Sequence, residues 1–423
     1  MKKPLPLYRP HVLVILLALT FISLLTAFAV REKEYGTVMA EGDPITITSR
    51  WGLRGHIKMA MSQFGENVMV WQDSGGKSYE IYAQIFDDTG YPKSSTFRVN
   101  KFQPLDQKHP AIAMDELGNF VIVYQSYKQD GSEAGIFGQR YSYDGKLVNK
   151  VFLINTFIID NQWDPAVAMN ADGKFVVAWV SENQDKTPRS VYAQRFDENG
   201  KKVGGEFRVN TANAGSQDSP AVAIDSAGNF MIVWQSKSKD DSNVYGQVFD
   251  WNGKPKSQSD ILLSAETDLN QSKPAVALTG NQLFMAVWIT ETYDNPLKTN
   301  LDSIKGQLFK TTGQKSGNEF SVSDPFFGHQ DNPMIIKTSP SKLLVAWQQY
   351  SRKNGHKHWR IFGQKIYNSA TKDGDVIELS AETDTYWQTD PALSSDGKGD
   401  TGAAWLNHET ETGTIGIEYK RGL

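Results

Sequence analysis

DPAVAMNADGKFVVAWVS, residues 164–181, returns 55 residues later as SPAVAIDSAGNFMIVWQS, residues 219–236. Further copies open at His109 (HPAIAMDELGNFVIVYQS), Lys273 (KPAVALTGNQLFMAVWIT), Asn332 (NPMIIKTSPSKLLVAWQQ) and Asp390 (DPALSSDGKGDTGAAWLN). The first copy opens at His56 (HIKMAMSQFGENVMVWQD), with Ile57 where the others have proline. The aromatic residue that closes each second apolar run falls at Trp71, Tyr124, Trp179, Trp234, Trp288, Trp347 and Trp405, in steps of 53 to 59 residues. A fixed period of this size marks a chain built from repeated supersecondary units.

Each copy continues in the same way. A third apolar run centres on a glutamine, at Gln84, Gln139, Gln194, Gln247, Gln307 and Gln364, with Glu418 in the last copy. A tight polar turn follows, such as DENG 197–200 or DWNG 250–253, and then a fourth run such as FRVN 97–100, FRVN 207–210 or IELS 377–380. Short Val/Ile/Phe/Tyr runs separated by Gly, Asp and Asn turns read as strands. Four antiparallel strands repeated radially are the blades of a β-propeller. In FVVAW, Phe175, Val177 and Trp179 lie on one face and Val176 and Ala178 on the other, all apolar. A strand buried on both faces loses apolar/polar alternation, as blades stacked face to face require. The last copy stops after three runs, and PITITSR 44–50 stands ahead of the first. The expected fold is all-β: a seven-bladed β-propeller over 44–423, closed by that N-terminal strand and preceded by one hydrophobic helix.

The pattern PAVAxDxxGNFxVVWQS … VYGQRFDxxG … FRVN resembles the repeats of exported bacterial and archaeal β-propeller proteins. It covers nearly all of residues 44–423. The resemblance implies fold and export, and it implies no shared catalytic residues. The repeated glutamines read as buried structural amides. Asp115, Asn170 and Asp225, ahead of Gly118, Gly173 and Gly228, read as turn residues.

Residues 12–30, VLVILLALTFISLLTAFAV, carry no charge and follow Lys2, Lys3 and Arg9. Nineteen helical residues nearly match a hydrocarbon core of about 30 Å, and Ala27-Phe28-Ala29 matches a signal-peptidase site. Residues 1–30 are therefore a signal anchor or a cleaved signal peptide, with 31–43 as a linker. Both forms export the rest of the chain, to the periplasm or cell surface. An uncleaved segment 12–30 makes the membrane a partner.

Composition removes several function classes. The chain has 423 residues and no cysteine, which excludes disulfides, zinc–thiolate sites and cysteine nucleophiles. Beyond the leader, 41 basic and 48 acidic residues give a net −7, a poor balance for neutralising phosphates, so no nucleic-acid partner is expected. Catalytic and cofactor motifs are lacking. Gly75-Gly76-Lys77-Ser78 has neither the earlier glycine nor the following helix of a phosphate loop. No cofactor, metal or catalytic residue is assigned.

Variable loops on a rigid scaffold carry binding. The turns after strands one and three are short. The turns after strand two and the links between blades are longer, for example 289–303 and 348–360. That long-loop face holds His56, His109, His329, His356, His358 and His408, together with Trp51, Trp163, Trp359 and Trp387. Its densest feature is the loop Arg352, Lys353, Asn354, Gly355, His356, Lys357, His358, Trp359, Arg360, expected to be solvent-exposed. Its cations, its histidines and Trp359, with Trp163 and Trp387, are the candidate ligand contacts. The expected role is non-enzymatic binding of a protein or polysaccharide at the cell envelope. A scaffold subunit and a polymer-cleaving hydrolase or lyase are the alternatives, and a pair of inward carboxylates in the central funnel would favour cleavage.

Overall fold

The computed structural model describes residues 45–47 and 54–423, apart from 76–77, 103–104, 213–214, 240, 266–267, 295–298, 325, 328, 354–355, 381–385 and 410–413. The leader 12–30, the linker and Trp51 lie outside the described residues. Among the described residues there are strands and no helix.

The strands fall into antiparallel groups that follow one another along the chain, six sheets in all with two of the groups joined in one. The first holds Arg54–Met61, Asn67–Asp73, Glu80–Phe86 and Phe97–Arg98 (β2–β5). The second holds Gln107–Met114, Phe120–Tyr127, Ala134–Tyr141 and Leu147–Leu153 (β6–β9). The third holds Gln162–Met169, Phe175–Glu182, Arg189–Phe196 and Lys202–Arg208 (β10–β13). The fourth holds Ser216–Ile224, Phe230–Lys237, Ser242–Phe249 and Ile261–Leu262 (β14–β17), joined to the third by a single parallel bridge between Arg189 and Ser216. The fifth holds Asn270–Leu278, Phe284–Asp294, Thr299–Phe309 and Lys315–Ser321 (β18–β21), with Phe326–Phe327 (β22) bridging to β20. The sixth holds Gln330–Lys337, Lys342–Lys353, His356–Tyr367 and Lys372–Glu378 (β23–β26). The last holds Tyr386–Ser395, Thr401–Glu409 and Ile415–Arg421 (β27–β29), and its outer strand is Ile45–Ile47 (β1), paired antiparallel with β29.

The first strands pack on one another in the order β2, β6, β10, β14, β18, β23, β27, and β27 packs back on β2. The fold is all-β and propeller-like. Its core lies between the groups. Val177 and Trp179 pack with Ile136 and Ile154 of the group before, while Val176 and Ala178 pack with Ile232 and Trp234 of the group after. The strand-two aromatics Trp71, Tyr124, Trp179, Trp234, Trp288, Trp347 and Trp405 are all buried, as a strand apolar on both faces requires.

The fourth strands end earlier than FRVN-type runs suggest, because their last residue leaves the ladder. Asn100, Asn155 and Asn210 accept from the third-strand amides of Ile81, Ile136 and Val191 at 2.8, 2.7 and 2.9 Å. Asn100 and Asn155 then donate to Gln107 and Gln162 of the next group at 2.7 and 3.1 Å, and Ser264 donates to Gln271 at 2.7 Å. These buried clasps fix where each first strand begins. The third-strand glutamines are buried and donate to backbone carbonyls of the returning chain, Gln84 to Ser94 just ahead of β5 at 3.0 Å and Gln364 to Gly374 of β26 at 3.0 Å.

One expectation is corrected. Stretches 289–303 and 348–360 are not irregular loops. Strand pairing runs on to Asp294↔Thr299 and to Lys353↔His356, so both become long hairpins. Continued pairing satisfies backbone groups that a loop would leave to solvent.

Candidate functional site: the channel mouth

Two residues beyond the clasp position, which is glutamine in six groups and Arg54 in the first, each first strand makes the same bulge. The residue there has positive φ in every group: His56 (51°), His109 (52°), Asp164 (48°), Ser219 (53°), Lys273 (50°), Asn332 (49°) and Asp390 (57°). Strand register breaks at each of these points. A proline follows six of them; it excludes the right-handed helical conformation before it and has no N–H to leave unpaired. Non-glycine residues in the left-handed region carry strain of order 1–3 kcal/mol, and such strain concentrates at functional sites.

The first strands surround a central channel of about 470 Å³, lined in part by His56, Ser219, Lys273, Asn332 and Asp390. These positions lie near the starts of the first strands, so the ring belongs to the long-loop face. One arc of it is continuous. The Asp390 carboxylate accepts from the backbone N–H groups of His56 and of Ile57, the latter at 3.3 Å. The His56 and His109 rings stack at 4.2 Å. His109 Nδ1 bonds the Asp164 carboxylate. Across the ring, Lys273 pairs with Asp331. Second-strand glutamines brace it: Gln72 accepts from the His109 amide at 3.0 Å, and Gln348 accepts from the Asp390 amide at 2.8 Å.

The surroundings separate these groups electrostatically. Burial, helped by the neighbouring His109 charge, lowers the His56 pKa to about 4, so its imidazole is neutral at pH 7. Burial pushes the Asp164 carboxyl upward, but the His109 hydrogen bond and the two imidazoles outweigh it, leaving the pKa below the usual range. Together the mouth offers carboxylates, a neutral imidazole, an ammonium, a hydroxyl and an amide, suited to a polyhydroxylated ligand.

Two of the candidate tryptophans stand on first strands, ahead of ring positions in the sequence. Trp163 precedes Asp164, is half-buried, and carries the Arg189 guanidinium over its face at 4.9 Å; Arg189 also pairs with Asp218 at 3.1 Å. Trp387, on the same strand as Asp390, is 45% exposed. The candidates of residues 352–360 sit elsewhere, along the β24–β25 hairpin. His358 and Arg360 are buried rather than solvent-exposed, and Arg360 pairs with Glu378 at 3.3 Å. Trp359 is half-buried against Tyr350, with ring centres 5.4 Å apart. The reason is the extended pairing, which draws this segment into the sheet. Side chains at Arg352, Lys353, His356 and Lys357, and residues 354–355, lie outside the described part of the structure.

The ring positions were visible in the sequence as the variable residues that head the copies, ahead of a proline in six of seven. What spacing could not give is the positive φ that the seven positions share. Asp115, Asn170 and Asp225 are turn residues as expected, accepting from Asn119, Lys174 and Asn229.

No family model and no curated protein matches the sequence. Several solved structures share the fold. The PL25 ulvan lyase bound to -[GlcA(1-4)Rha3S]- is similar with a TM-score of 0.53 at 8% identity, over 88% of this chain and 95% of that one. The polysaccharide lyase Uly1 is similar with a TM-score of 0.53 at 11% identity, over 91% of each chain. A protein of unknown function from Dyadobacter fermentans is similar with a TM-score of 0.51 at 11% identity, over 74% of this chain and 94% of that one. At these identities the likeness establishes the fold.

Proposed function

We propose that residues 44–423 form a seven-bladed β-propeller, exported behind residues 12–30, that binds a polysaccharide at its channel mouth without cleaving it. The observation that carries this reading is the ring of hydrogen-bonding groups at the mouth, with Trp163 and Trp387 on the same first strands as Asp164 and Asp390. Aromatic faces supply rigid contact area, and a few convergent polar groups fix orientation in a largely preformed site. The substrates named for two of the structural neighbours are polysaccharides, which agrees with the ligand class. The repeat signature, which resembles exported propeller proteins, agrees with placement at the cell envelope.

A cleaving enzyme is the second reading, and one observation favours it. The carboxylates of Asp164 and Asp390 flank the stacked His56–His109 pair at the mouth. A carboxylate-oriented imidazole beside a second imidazole is an arrangement suited to general acid–base work.

A glycan array followed by calorimetry on the bound polymer separates the readings. Binding with unchanged polymer length, weakened by Trp387→Ala at unchanged melting temperature, supports the module. Shortening of the polymer, abolished by His109→Gln, replaces it with the enzyme. Absence of any polysaccharide ligand overturns both.

A further inference from the structure

The opposite face carries a feature that ligand binding at the mouth does not use. Its turns follow strands one and three, and the repeat supplies internal controls for them. The tip of the first turn is Asp172 in the third group and Ala227 in the fourth, but Phe64 in the first and Leu117 in the second. The tip of the following turn is Asp88 in the first group and Glu198 in the third, but Tyr143 in the second and, outside this cluster, Trp251 in the fourth. Phe64, Leu117 and Tyr143 are 61%, 63% and 57% exposed, and Tyr91 is 45% exposed. Phe64, Leu117 and Tyr143 line one groove of about 710 Å³, together with Glu66, Asp88 and Asn119. Large apolar side chains clustered at positions that tolerate polar ones mark a contact surface.

The course of the chain identifies what this surface meets. β29 runs toward the short-turn face, since Arg421 pairs with Gly402 beside the turn before β28. Ile45 pairs with Tyr419, so the N-terminal end of β1 lies at that same face. The Tyr419 ring stands 3.4 Å from where a Cβ on Gly90 would lie, in the turn beside Tyr91. Residues 31–44 then separate the uncharged segment 12–30 from β1. Fourteen residues span at most about 50 Å, so the segment 12–30 is tethered within that reach of the short-turn face.

We propose that the short-turn face is the membrane-facing side, and that Phe64, Leu117, Tyr143 and Tyr91 rest in the lipid surface that residues 12–30 enter. The proposal rests on the anchored, uncleaved form of the leader. Phe and Leu have the chemistry of apolar insertion, and Tyr suits the headgroup level, where its ring is apolar and its hydroxyl wet. Beside the patch Glu66 pairs with Lys93 and Asp144 with Lys146, and the further charge in the groove, Asp88, is acidic. Contact therefore needs no anionic lipid and survives salt. The arrangement turns the channel mouth away from the bilayer, toward a polymer arriving from outside.

The chain has no cysteine, so single labels report single sites. Leu117→Cys, Phe64→Cys and, on the opposite face, Ile159→Cys are introduced into the full chain. Each carries an environment-sensitive fluorophore and is reconstituted into phosphatidylcholine vesicles. Ile159 is 61% exposed in the link before β10, so its label serves as the aqueous control. The expected result is flotation with the vesicles, blue-shifted emission at 64 and 117, and iodide quenching there several-fold weaker than at 159, unchanged by salt. Flotation with equal quenching at all three sites overturns the orientation and leaves the anchor standing. Failure to float removes the anchor and the proposal with it, while polysaccharide binding is unaffected. Protection that grows with protein density on the vesicle assigns the patch to a second copy and overturns the lipid contact.

Discussion

At the channel mouth, seven equivalent positions hold His, His, Asp, Ser, Lys, Asn and Asp on one repeated backbone bulge. In the β24–β25 hairpin, by contrast, a cluster of cations and histidines is gathered within one group alone. The hairpin looks like a site in sequence because its residues are consecutive. The mouth does not, because its residues are about 55 apart and are assembled by the ring. In a repeat protein, variation at a fixed and strained backbone position is a stronger sign of function than local density of charge. The strain is maintained whatever side chain stands there, and only the chemistry presented changes.

The comparison presumes a closed ring, and the largest expected effect is loss of closure. β1 supplies the outer strand of the last group, and its Ile47 carbonyl accepts from Arg54 at 2.5 Å. A chain lacking residues 1–47 exposes the β29 edge, and an unpaired edge promotes association. Size-exclusion chromatography should show aggregation and calorimetry a lower melting temperature. A monomeric truncation with an unchanged transition would break the topology.

Next in size are the tryptophans. Trp179 is fully buried between groups, and Trp179→Ala should cost about 3–5 kcal/mol in denaturant unfolding. The sequence alone suggested that Trp359 would be exposed and neutral. Its contact with Tyr350 now predicts a measurable loss from Trp359→Ala, about 1–2 kcal/mol and smaller than at Trp179. Equal losses would contradict the packing.

Arg360 sharpens the same point. Read as a loop cation, it should be replaceable at a cost within about 0.5 kcal/mol. Buried and paired with Glu378, it should lose more than that in Arg360→Ser. A neutral result would return the segment to the surface and restore it as a candidate contact.

The architecture was largely legible in the chain. The Trp series gave the groups, the two-faced apolarity of FVVAW gave burial between them, and PITITSR gave the closing strand. The hairpins were missed because Lys353 and His356 pair across a polar, charged stretch that carries no apolar signal. The mouth was half legible. Its residues head every copy, but positive φ at a non-glycine residue before proline has no signature in a single chain.

The smallest effect is on pH. Folding holds His56 at about 4 instead of 6.5, by burial and the nearby His109. The unfolded chain therefore binds more protons between these values, and stability should be lost as pH falls from about 6.5 to about 4. His408, whose pKa burial also lowers, acts in the same direction. His56→Gln should flatten part of this slope in melting-temperature profiles. An unchanged slope would mean that His56 is not held neutral at the mouth.

The central claim is that recognition belongs to the mouth and not to the hairpin. It is tested most directly by calorimetric titration of the polysaccharide found on the array into Asp164→Asn and Trp359→Ala, each checked for its melting temperature. The account predicts binding weakened about tenfold or more, 1.4 kcal/mol, in Asp164→Asn and unchanged in Trp359→Ala. Wild-type affinity in Asp164→Asn with loss in Trp359→Ala would contradict it.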